Sequence, residues 1–185
     1  MGQLILILGG ARSGKSAFAQ KLARDLGGER VLFVATADAG DDEMRERIAA
    51  HRQARPAGWR TLEAPGDAGR AIVQAGAPEP VVVVDCLTLL VSNAVLRLGE
   101  VPEVREAEAA GLAEVEGLLQ AHRESGATVI VVSNEVGLGV VPDNPLARSY
   151  RDALGRANQA LAAQCDKVYW LIAGLPIELR ALQGG

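Results

Sequence analysis

The sequence predicts an α/β protein with a mostly parallel sheet and helices on both faces. Three observations carry this reading. Short apolar runs alternate with helix-period stretches nearly to the end of the chain. One of them, Val81-Val82-Val83-Val84, is β-branched throughout, the composition of a strand buried on both faces. Gly9-Gly10-Ala11-Arg12-Ser13-Gly14-Lys15-Ser16 fits G-x-x-x-x-G-K-[ST] and stands between a strand-like and a helix-like segment.

Taken in order, residues 3–8 read as the first strand and 17–26 as the helix after the glycine-rich loop. Residues 30–35, with Val31, Leu32, Phe33 and Val34, form a second buried strand. Residues 41–55 read as a helix with Asp41 or Asp42 as N-cap and Pro56 as its stop. A short strand over 60–64 and a short helix over 67–74 follow, then the valine strand. Residues 87–98 place Leu87, Leu90, Val91, Ala94, Val95 and Leu98 on one face of a helix. Pro102 opens a helix to about residue 124, and Gly126 ends it. Residues 128–132 are another strand, and a long loop runs from 133 to 144. Asn144-Pro145 caps and starts a helix to 164, and 167–173 is the last predicted strand. The tail from 174 to 185 carries no assignment.

At 185 residues the chain is read as one domain, residues 1–185, long enough to bury roughly 70% of its unfolded surface. Aromatics are 3% of the sequence, so aliphatic side chains must fill the core. A net charge of −4 argues against general nucleic-acid binding. No apolar run approaches a membrane span, no charged leader stands at the start, and Cys86 and Cys165 are too few for a disulfide framework, so a cytoplasmic protein is expected.

Ligands of such sheets bind at the carboxyl ends of the strands. In the glycine-rich loop, Gly9, Gly10 and Gly14 let backbone N–H groups approach phosphate oxygens, and the next helix adds its positive N-terminus. Lys15 reaches the terminal phosphates, and the Ser16 hydroxyl is a Mg²⁺ ligand. The loop therefore specifies a nucleoside triphosphate, without fixing the base or the reaction. Asp85, at the end of the valine strand, is the expected second carboxylate for Mg²⁺; capping the following helix is its structural alternative. Cys86 reads as a small buried residue and His122 as structural.

His51 shares a helix face with Met44 and Ile48, and Arg47 and Arg55 flank it at i−4 and i+4. Arginines there offer donors to a polyphosphate and favour the neutral, nucleophilic imidazole. Without further context, an ordinary half-buried histidine among solvated arginines outweighs a covalent role. Glu63 reads as a surface acid, and the 133–144 loop as a second-substrate or nucleotide-sensing segment. No Asn-Lys-x-Asp guanine signature and no Cys/His cluster for zinc occur in the sequence.

Several further motifs then join the loop: Val34-Ala35-Thr36, Asp42-Glu43-Met44, Arg47-Ile48, His51-Arg52, Arg55-Pro56 and Trp59-Arg60-Thr61-x-Glu63. Asp85-Cys86-Leu87-Thr88-Leu89, Ser92-Asn93, Asn134-Glu135-Val136-Gly137, Val141-Pro142 and Arg148-x-x-Arg151-Asp152 complete them. Together they resemble the bifunctional adenosylcobinamide kinase / adenosylcobinamide-phosphate guanylyltransferases of cobalamin biosynthesis, over residues 4 to about 175. The His-Arg-x-x-Arg-Pro run joined to Trp-x-Thr-x-Glu carries most of the specificity. The resemblance implies a P-loop NTPase fold of RecA-like type, assembled as a homotrimer.

It also implies two reactions. ATP or GTP phosphorylates the aminopropanol hydroxyl of adenosylcobinamide. GTP then donates GMP to that phosphate through a GMP–histidine intermediate, giving adenosylcobinamide-GDP and pyrophosphate. By motif, the histidine is His51, which reverses the weighing given to it above. The residues implied to hold nucleotide are Gly9, Gly10, Ala11, Arg12, Ser13, Gly14, Lys15, Ser16, Ala35, Thr36, Ala37, Arg52, Gln53, Ala54, Arg55, Glu63 and Asp85, with Mg²⁺ on Ser16 and Asp85. Partners implied are the nucleotides and the corrinoid, with no nucleic acid and no membrane span. The alternatives are a small-molecule P-loop kinase with an inert His51, or a nucleotide-binding regulatory module.

Overall fold

The computed structural model describes residues 2–38, 56, 58–76 and 78–182. The strands are β1 (Leu4–Gly9), β2 (Val31–Ala35), β3 (Arg60–Glu63), β4 (Val81–Asp85), β5 (Thr128–Val132), β6 (Lys167–Ile172) and β7 (Leu175–Glu178). The described helices are α1 (Lys15–Gly27), α2 (Ala68–Gln74), α3 (Leu87–Leu96), α4 (Val104–Ser125) and α5 (Pro145–Gln164). The predicted helix over 41–55 lies outside the described residues.

The strands form one sheet in the order β3-β2-β4-β5-β1-β6-β7, parallel throughout except for the β6–β7 pair. β5 lies between β1 and β4, an order that patterning along the sequence does not show and that agrees with the RecA-like type the family resemblance implies. Because side chains alternate along a strand, an all-apolar strand can serve two cores. Leu4, Leu6 and Leu8 of β1, with Val82, Val84, Val129 and Val131, pack under α2, α3, α4 and α5. Ile5 and Ile7, with Phe33, Val81, Val83, Ile130 and Val132, pack under α1 through Ala19 and Ala23. Each of these fully buried side chains contributes about 1.5–3 kcal/mol, which makes the valine run a shared wall of both cores.

The helix ends follow their local chemistry. Asn144 Oδ1 accepts from Ala147 N at 3.3 Å, with Pro145 in the first turn. Gly126, at φ 64°, closes α4, and its N–H donates to His122 O. The His122 ring is buried, with Nδ1 3.0 Å from Ala127 O, so it holds the α4–β5 turn. α1 begins at Lys15, two residues before the expected start, because Gly14 takes a left-handed conformation and lets the helix open at once. α3 ends at Leu96, two residues early. There the chain tightens into bonds from Leu98 N to Val95 O and from Gly99 N to Leu96 O.

The unassigned tail turns back on β6 as an antiparallel edge strand. Ala173 and Gly174, at φ 52° and 83°, form the two-residue turn, whose geometry favours positive φ at both positions. Pro176 sits in β7, an edge strand, where a missing N–H is tolerated. At the opposite side of the molecule α2 lies directly on α4. A Cβ on Gly69 would fall 2.0 Å from the Gly117 carbonyl oxygen. Gly69→Ala is therefore expected to destabilise the protein by about 1–3 kcal/mol, read as a lower urea midpoint. An unchanged midpoint would mean that α2 can lift off α4 at no cost.

Candidate nucleotide-binding site

The loop between β1 and α1 is held from three sides. Gly9, at φ 155°, has no room for a side chain, because a Cβ would lie 2.6 Å from Leu171 O and 2.7 Å from Ser13 Oγ. Ser13 N donates to Gly10 O at 3.3 Å, and Glu135 N donates to Gly9 O at 3.3 Å. Gly174 N, in the β6–β7 turn, donates to Ser13 O at 2.9 Å. Gly10, Ala11 and Arg12 face solvent, and Arg12 takes a left-handed φ of 57°. Lys15 is only 8% exposed, and its Nζ donates to Gly10 O at 2.6 Å. An ammonium carries three donors, so one is committed to the loop itself. Burial pulls Lys15 below the ordinary lysine range; a Cys86 thiolate, present only at high pH, and the Asp85 carboxylate oppose that pull. A polyphosphate arriving here would favour the charged form.

The other strand ends share one rim with this loop. Ala35 pairs with Glu63 on one side and Asp85 on the other, and Asp85 pairs with Val132. Two strand spacings, about 10 Å, separate the backbones of β1 and β4, so Lys15 and Asp85 approach this rim from different strand ends. Thr36 is fully buried. Its hydroxyl accepts from Cys86 N at 2.6 Å and donates to Cys86 O at 2.8 Å. Asn93 Nδ2 then donates to Thr36 O and Pro65 O. Thr36 thus fixes the segment that carries Asp85, while Ala37 is half-buried and Glu63 exposed beside it. The Cys86 thiol is pushed up to about 11 by burial, then by Asp85, so at neutral pH it stays protonated and unreactive.

Among protein families, the model described as cobinamide kinase / cobinamide phosphate guanyltransferase matches residues 5–179. The chain belongs to this family. Bifunctional adenosylcobalamin biosynthesis protein CobP of Pseudomonas aeruginosa is 45% identical over 95% of this chain and 96% of its own. The CobU proteins of Escherichia coli and Salmonella typhimurium are 40% and 38% identical, each over 96% of this chain and 99% of their own. The family name joins two transferase activities, and the rim described above has the parts for phosphate transfer.

In this cobinamide kinase / guanyltransferase chain the loop after β5 is set by side chains that sequence patterning did not reveal. Ser133 Oγ donates to Asn158 Oδ1 at 2.7 Å, and Asn158 Nδ2 donates to Asn134 O at 3.0 Å. Thr88 Oγ1 accepts from Asn134 N at 2.8 Å. Thr88, Ser133 and Asn158 are all buried, so the strand end is locked to α3 and α5 by satisfied polar groups. The only signal in the sequence was Ser133-Asn134 following an apolar strand. His51, Arg52, Gln53, Ala54 and Arg55 lie outside the described residues. Among the described residues no three His, Cys, Asp or Glu side chains gather as a metal site, and no helix is long and apolar enough to cross a membrane.

Proposed function

We propose that this chain phosphorylates the aminopropanol hydroxyl of adenosylcobinamide with ATP or GTP and then transfers GMP from GTP to the new phosphate. The observation that carries this reading is the loop of Gly9 to Ser16, built at one rim with Asp85, in a chain that matches the family from residue 5 to 179. In the first step the substrate hydroxyl attacks the γ-phosphorus and the bond to the β-phosphate oxygen breaks. Lys15 and the loop amides hold the charge that develops on the phosphates. In the second step a nitrogen of His51 attacks the α-phosphorus of GTP and pyrophosphate leaves. A phosphate oxygen of the corrinoid then attacks that phosphorus, the P–N bond breaks, and His51 is restored.

Arg52, Gln53, Ala54, Arg55 and Glu63 are proposed to hold the GTP, together with the loop and Ala35 to Ala37. Ser16 and Asp85 offer a hydroxyl and a carboxylate, hard oxygens of the kind Mg²⁺ prefers. Bound there, Mg²⁺ would supply charge neutralisation at the phosphates. The working form is proposed to be a cytoplasmic homotrimer, each chain acting as one transferase domain over residues 1–185.

The test is a labelling experiment. Protein incubated with Mg²⁺ and GTP labelled at the α-phosphate, then denatured, is expected to retain a label that survives alkali and is lost in acid. GTP binding with no retained label would remove the covalent step and leave a small-molecule kinase.

A further inference from the structure

We propose that the groove between α4, α5 and the loop after β5 binds the amide-bearing rim of the corrinoid; this rests on the functional reading above. The groove has a volume of about 450 Å³ and is lined by Glu108, Gly137, Arg151, Asp152, Arg156 and Gln159. Its size is that of a ligand pocket, and it is polar. Its charge is balanced. Arg151 Nη2 lies 3.1 Å from Asp152 Oδ1, and Arg156 Nε lies 3.6 Å from Glu108 Oε1.

That balance decides the class of ligand. A phosphate would gain two arginines but meet two carboxylates. A set of primary amides needs both kinds of partner: guanidinium donors for its carbonyl oxygens, and carboxylate acceptors for its N–H groups. Gln159 supplies one of each. Cobinamide, named in the family description, is a corrin ring with a rim of such amides. Its ring faces are apolar, and the protein shows an apolar surface next to the groove. Leu138, Val140 and Val141 follow Gly137 and are 77%, 95% and 58% exposed. Three large apolar side chains exposed within four residues mark a contact surface.

The groove also lies where an acceptor must be. Glu135 N is bonded to Gly9 O of the phosphate loop, and Gly137 N to Glu135 Oε1 at 2.6 Å. Two residues of chain span at most about 7 Å, so the Gly137 side of the groove lies near the β1 end of the phosphate loop. The rim of the ring would sit in the groove and a ring face on Leu138 and Val140. The aminopropanol arm would then extend towards Lys15.

Steady-state kinetics of Arg156→Ala, Gln159→Ala and Leu138→Ser test this. Each variant is expected to raise KM for adenosylcobinamide about tenfold in the kinase step, with KM for the nucleotide within about twofold of wild type. All three positions are at the surface or the groove lining, and thermal unfolding of each variant checks that the fold is kept. Wild-type KM for the corrinoid in all three variants would overturn the proposal and leave the functional reading intact. A wild-type protein that binds GTP but neither binds nor phosphorylates adenosylcobinamide would overturn both.

Discussion

Replacing Lys15 with alanine is expected to slow phosphorylation of adenosylcobinamide by about 10²–10³-fold or more in kcat, the scale of losing one preorganised donor at a developing charge. The expectation rests on placement. The Lys15 ammonium is buried at the first turn of α1, already aimed across the loop at Gly10 O, and influenced by Asp85 at the end of β4, two strands away. It needs little rearrangement to meet a phosphate. The same change should slow guanylyl transfer, because both reactions would seat their triphosphate on one loop. Unfolding by heat should be nearly unaffected, since the lysine is held against its own burial cost. Retained kinase activity in Lys15→Ala would move the phosphate site away from this loop.

His51→Ala is expected to behave differently. The label from α-labelled GTP should vanish and guanylyl transfer fall by about 10⁴-fold or more, as when a covalent nucleophile is removed. Phosphorylation of adenosylcobinamide should persist. The position of His122 argues against it as the alternative histidine. The sequence has two histidines, and the other, His122, is buried with Nδ1 against Ala127 O. That contact precedes Thr128, at the amino end of β5, whereas the phosphate loop follows Gly9 at the carboxyl end of the parallel β1. His122 therefore faces the wrong end of the sheet. A label that survives in His51→Ala would point to a different kind of nucleophile, and its stability in acid and alkali would identify the bond.

Most of the frame was legible because it is written in local patterns. Val81 to Val84 has the composition typical of a buried strand, Asn144-Pro145 is a good signal for a helix start, and the Gly9 to Ser16 loop carries its own geometry. Two kinds of feature were not local. β7 follows a turn of Ala173 and Gly174, and alanine gives no hint of a positive φ. Its pairing with β6 supplies what the residues 175–178 do not announce. The polar lock of Thr88, Ser133 and Asn158 joins residues 25 and 45 apart, so no window of sequence contains it. Thr36 is a third case. Sequence reading placed it with the nucleotide-binding residues through its motif, and the structure shows its hydroxyl spent on both backbone groups of Cys86.

The bond from Gly174 to Ser13 has a consequence for how the chain is made. Leu4 N also depends on a late residue, donating to Asp166 Oδ2 across 162 positions. β1 is paired with β5 and β6, so this strand waits for partners translated more than 120 residues after it. During synthesis, which proceeds at roughly 5–20 residues per second, the phosphate loop emerges early without the turn that supports it. Closing contacts this distant is slow, and the apolar β1 must stay soluble meanwhile. The nucleotide site would thus be among the last parts of the molecule to mature. GTP or ATP could assist only in the final docking of the β6–β7 hairpin, as a ligand that binds the finished loop and favours the finished fold.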